Sequence, residues 1–170
     1  MTTKNELDDI LEACEACAGA DDKSYHEHFE ECPTCKEYAE KAEKLNQQIE
    51  VLELMAAKPL EARKQILGAR IRKFLSLQGP ERKAAITELL DGLHELDDDA
   101  MSKVVKARTD LMMEIPKEHR ETLMGVLKDI VADWPQDRKM RERQAIIKAT
   151  EDYFFLKRKM VRKKFNKLMQ

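Results

Sequence analysis

Glycine and proline are scarce in this chain, five of each among 170 residues, and aromatic residues make up only 5%. So few turn formers exclude the sandwiches and barrels, which need many tight turns and β-branched strands. No apolar run approaches the ~20 residues that span a bilayer. The opening MTTKNELDD has neither a basic flank nor an apolar stretch, so no signal peptide is legible and a cytoplasmic location is expected. A Gly-rich phosphate loop, a nucleophile elbow and a His-Glu-x-x-His pair are all missing. The expected function is therefore non-catalytic. Cysteine is limited to four residues, all within a short N-terminal stretch.

What is present is charge and helix-forming residues. Charged side chains make up 38% of the chain and apolar ones 42%, against a usual charged share of about a quarter. The balance is polarised along the chain. Residues 1–58 carry 6 Lys/Arg and 15 Asp/Glu, residues 59–137 carry 13 and 15, and residues 138–170 carry 12 and 3. An acidic head and a basic tail can attract each other, another copy of the chain, or an outside partner. Two solvated faces explain the same pattern.

The hydrophobic spacing predicts an all-α protein. Residues 1–57 form a helical Cys/His metal-binding module, and residues 58–170 a helical bundle or a short array of antiparallel helix pairs. A first helix is expected from Asn5 to Cys17, stopping near Gly19, and a short one after Ser24, where Ser24 and Glu27 have the form of a capping box. Another runs from Pro33 to about Ala57, with Tyr38, Leu45, Ile49, Leu52 and Met55 on one stripe. Pro59, Pro80, Pro116 and Pro135 each sit where a helix can begin, predicting helices over 59–77, 80–96, 98–114, 116–133 and 136–168. A weak repeat accompanies them. Ala69, Arg70, Phe74, Leu75, Leu77 and Arg82 recur 38 residues later as Ala107, Arg108, Met112, Met113, Ile115 and Arg120. Two-helix solenoid units have such a period, and chance likeness between amphipathic helices gives it too.

The cysteines carry the sharpest chemistry. Cys14, Cys17, Cys32 and Cys35 form two Cys-x2-Cys pairs, with His26 and His28 between them. Spacing of this kind suits a structural zinc site, and in a cytosolic chain metal or redox chemistry outranks disulfides. Cys14 and Cys17 share a helix face, as do His28 and Cys32, while His26 falls off that face. Five candidates therefore compete for four positions: Cys14, Cys17, Cys32, Cys35 and His28. Four thiolates could instead hold an iron–sulfur cluster, and spare thiols suit a redox or metal sensor.

The stretch His28-Phe29-Glu30-Glu31-Cys32-Pro33-Thr34-Cys35-Lys36 has the form His-x3-Cys-x2-Cys and precedes a charged helix. It resembles the zinc-binding motif of anti-sigma factors. The resemblance covers residues 5–57 and implies zinc ligation by His28, Cys32 and Cys35, with a sigma factor as protein partner. The family often supplies a distant upstream His; none precedes His26 here, so Cys14 or Cys17 would stand in.

The basic tail is the second feature. Ile146, Ile147, Thr150, Phe154, Val161, Phe165 and Leu168 form one stripe of the long last helix, and Arg158, Lys159, Arg162, Lys163 and Lys164 crowd the other side. Packing against the bundle explains that stripe. Those cations are also candidate contacts to nucleic acid or to an acidic protein, with Tyr153, Phe154 and Phe155 available to stack on bases. His94 and His119 read as isolated. The nine methionines read as flexible core filler.

Overall fold

The computed structural model describes residues 32–168. The chain divides into two compact units, Met1–Gln48 and Ile49–Gln170. The two helices expected before residue 30, with Cys14, Cys17, His26 and His28, lie outside the described residues.

Seven helices account for the described chain, and no strand occurs in it. They are α1 (Pro33–Ala56), α2 (Leu60–Ser76), α3 (Gly79–Glu95), α4 (Asp98–Glu114), α5 (Lys117–Ala132), α6 (Gln136–Ala149) and α7 (Phe155–Leu168). The prolines act as expected. Pro59, Pro116 and Pro135 are the N-cap residues of α2, α5 and α6, where a missing N–H costs nothing. Pro80 sits one residue inside α3, behind a capping box formed by Gln78 and Glu81. α4 starts without proline: the Asp97 carboxylate accepts from the backbone N–H groups of Asp99 at 2.9 Å and Ala100 at 2.7 Å.

The helix starts keep a constant rhythm. Leu60, Gly79, Asp98, Lys117, Gln136 and Phe155 follow one another at steps of 19 residues, so the 38-residue recurrence in the sequence is two such steps. The same step links Met55, Phe74, Leu93, Met112, Val131 and Thr150, all buried. It also links the linker residues Leu77, Leu96, Ile115, Trp134 and Tyr153, each of which packs into the core or against it. Within Ile49–Gln170, α2 packs on α4 and α4 on α6, while α3 packs on α5 and α5 on α7. Contacts of α2 with α3, α3 with α4 and α6 with α7 join these two rows. Packing between alternate helices is what stacked helix pairs produce. The core between the rows is mainly Leu, Ile, Val, Met and Ala, closed by Phe74, Trp134, Tyr153 and Phe165.

One expectation is corrected. The basic tail is not one long helix over 136–168: α6 ends at Ala149 and α7 begins at Phe155. The Thr150 hydroxyl donates back to the carbonyls of Ile146 at 2.8 Å and Ile147 at 3.2 Å. Tyr153 is then drawn into the core, where its hydroxyl donates to Asp110 Oδ1 at 2.7 Å. A side chain that bonds its own helix and a buried anchor three residues on together end the helix. The stripe splits accordingly: Ile146, Thr150, Val161 and Phe165 are buried, whereas Ile147 and Phe154 are exposed.

Candidate functional site

The sequence-predicted contact residues lie on α7. This helix carries Lys157, Arg158, Lys159, Arg162, Lys163, Lys164 and Lys167 and no acidic residue. The structure sorts the five expected contacts into two groups. Arg158 turns inward and donates to the carbonyls of Glu151 and Tyr153. Arg162 does the same, to Thr150 Oγ1 at 3.1 Å and the Ile147 carbonyl at 2.9 Å. Arg162 thereby satisfies one of the last carbonyls of α6 and complements the negative end of its dipole, while Arg158 satisfies carbonyls of the linker that follows. Lys159, Lys163 and Lys164 are exposed and make no ion pair among the described residues, and the same holds for Lys167. Elsewhere the cations of Ile49–Gln170 are often matched, as in Lys106 with Asp152 at 2.6 Å, Arg138 with Asp91 at 2.7 Å and Lys64 with Glu114 at 2.6 Å. Phe154, Phe155 and Leu156, at 74, 66 and 66% exposure, stand at the start of this helix. Three adjacent exposed apolar side chains thus stand beside lysines that have no ion pair among the described residues, and apolar area left in water is a standing cost.

Of the metal candidates, Cys32 is half-buried and immediately precedes α1, and its carbonyl accepts the N–H of Lys36 at 3.0 Å to close the first turn. Cys35 lies in that first turn. A helix N-terminus stabilises thiolate over thiol, the form that binds metal. Cys14, Cys17 and His28 lie outside the described residues, so no ligand set is assembled from the rest; among the described residues no group of three His, Cys, Asp or Glu side chains gathers.

A buried polar cluster was not foreseen. Glu142 of α6, 2% exposed, accepts from the Arg108 guanidinium of α4, and His94 Nε2 of α3 lies 3.2 Å from its other oxygen. Burial alone would raise the Glu142 pKa; Arg108 and His94 overcome it and hold the carboxyl at about 2. His94 is thus not isolated: it packs edge-on against Trp134, ring centroids 5.0 Å apart. Trp134 in turn lies under Arg138, whose guanidinium is 4.3 Å from the ring centre. Asp110, the second buried acid, accepts from Tyr153 and from Lys157 Nζ at 3.1 Å. Burial and then the Asp110 bond push the Tyr153 phenol above its ordinary pKa. These groups neutralise one another across helices, so they tie α3, α4, α6 and α7 together. Their partners lie 34 to 48 residues apart in the chain, and no local pattern announces such pairs.

No helix among the described residues is long and apolar enough to cross a membrane. Comparison of the chain with protein-family models, with curated proteins and with solved structures yields no match.

Proposed function

We propose that this chain is a non-catalytic, zinc-binding regulatory or adaptor protein that acts through protein–protein contacts, built from a metal-stapled N-terminal module and three tandem helix pairs. The observation that carries this reading is the α7 surface, where Phe154, Phe155 and Leu156 are exposed beside lysines that have no ion-pair partner among the described residues. Apolar anchors flanked by unmatched cations suit an acidic protein surface: the anchors supply affinity and the lysines supply orientation and association rate. The zinc would be held by four of Cys14, Cys17, Cys32, Cys35 and His28, adding folding energy where a small module has a thin core. The likeness of residues 5–57 to anti-sigma factors makes a sigma factor the partner to try first.

The test is recovery of a partner from host extract on the immobilised full chain, with the triple variant Phe155→Asp/Lys159→Glu/Lys163→Glu alongside. These side chains are exposed, so the variant keeps its fold. One protein recovered in stoichiometric amount by the native chain, resistant to nuclease and absent with the variant, is the expected result. Retention abolished by nuclease would move the function to nucleic acid. Equal recovery by both chains would remove α7 from the contact.

A further inference from the structure

A groove of about 470 Å³ opens between α4, α5 and α7, and its wall is rich in methionine: Met112, Met113, Met124 and Met160. Unbranched thioethers adapt to varied apolar shapes, which makes such a wall suited to binding. At its floor is Thr109, 1% exposed, whose hydroxyl has no hydrogen-bond partner. Buried hydroxyls are nearly always bonded, and an unmade bond costs about 1–3 kcal/mol. The repeat makes the exception sharper. At 19, 38 and 57 residues before Thr109 stand Leu90, Ile71 and Leu52, all aliphatic and all buried. Thr109 thus breaks the pattern toward polarity at the one of these four positions that lines the Met-walled groove.

The mouth is cationic, formed by Lys117, Arg120 and Lys164 with Glu121 as its acid. Among the described residues Glu121 is paired with Lys117 alone, across 3.7 Å. Arg120 occupies the place that Arg82 and Arg158 hold in the neighbouring pairs, but it is loosely engaged. It reaches the Met112 and Met113 carbonyls at 3.4 and 3.5 Å, whereas Arg82 reaches those of Phe74, Leu75 and Leu77 at 2.9, 3.2 and 2.7 Å. Its donors are thus open to a better acceptor.

We propose that this groove binds a small apolar carboxylate, its hydrocarbon body along the methionine wall and its carboxylate at Arg120 and Lys164. The site shares Lys164 with the α7 docking surface but none of Phe155, Lys159 and Lys163, the residues changed in the test of that surface. Decanoate is the probe, titrated calorimetrically into the full-length, metal-loaded protein. Saturable binding at one site per chain is expected. Lys164→Glu weakens it about tenfold, the loss of one charge-assisted contact. Met124→Trp fills the groove and abolishes it. Thr109→Val leaves the melting temperature unchanged or raised, because no native bond is lost, and Thr109→Val still folds where a larger change would not. The proposal is overturned by the absence of saturable binding, or by affinity indifferent to Lys164→Glu and Met124→Trp.

Discussion

At Glu142 a carboxylate with almost no access to water is kept ionised by one guanidinium and one imidazole. Removing the acid alone leaves the Arg108 charge buried and unmatched. Glu142→Leu is therefore expected to cost roughly 3–5 kcal/mol in denaturant unfolding, whereas Arg108→Met with Glu142→Leu, which removes both charges, costs clearly less. The pH dependence has a definite sign. The Glu142 pKa falls from an ordinary 4.5 to about 2 on folding, so between these values the unfolded chain binds more protons than the folded one. The contribution is fully present above pH 4.5, on the order of 3 kcal/mol, and is lost as the pH falls toward 2. Thermal melts across that window should show the native chain losing stability more steeply than the double variant; equal slopes would show that Glu142 is not the group responsible. None of this was legible in the sequence. His94 looked isolated because Glu142 lies 48 residues away, and amphipathic spacing reports which face is buried without naming cross-helix partners.

At the scale of the element, a cation recurs behind the linkers that precede α3, α5, α6 and α7. Arg82, Arg120 and Lys139 each donate to the carbonyl seven residues earlier, at the end of the preceding helix, and Arg158 donates likewise to Glu151 in the linker after α6. The device replaces a glycine C-cap, which explains how so glycine-poor a chain ends its helices. Its strength is uneven, and that gives a test. Arg82→Ala removes bonds to three carbonyls and is expected to destabilise by about 1–3 kcal/mol, while Arg120→Ala, whose bonds are long, costs under about 1 kcal/mol. Chemical denaturation of the two variants compares them directly. Helix positions were largely legible, because Pro59, Pro80, Pro116 and Pro135 mark starts by local sterics alone. The break between α6 and α7 was not, since Ala149 to Phe155 contains neither glycine nor proline. What interrupts the helix there is tertiary: the Asp110 acceptor for Tyr153 comes from α4.

For the whole molecule, the 19-residue step makes each helix pair a neighbour-dependent unit, its apolar side covered by the next pair. Among the described residues α6 and α7 form the last pair, and the exposed apolar side chains and the lysines of α7 without an ion pair there collect on it. The cation count of the tail was plain from the sequence. Which cations face outward was not: Arg162 is taken up by the end of α6 and Arg158 by the linker after it, and only the path of the chain after Thr150 decides that. The cysteine spacing was equally plain, and it motivates the metal at the centre of the proposed function. Metal content of the full-length protein, purified without oxygen, together with its absorption spectrum, is the most direct test. One zinc per chain, colourless, lost in the combined Cys32→Ser/Cys35→Ser variant, is the predicted result. Iron with sulfide and visible absorption, or a folded helical protein with no metal at all, would contradict it.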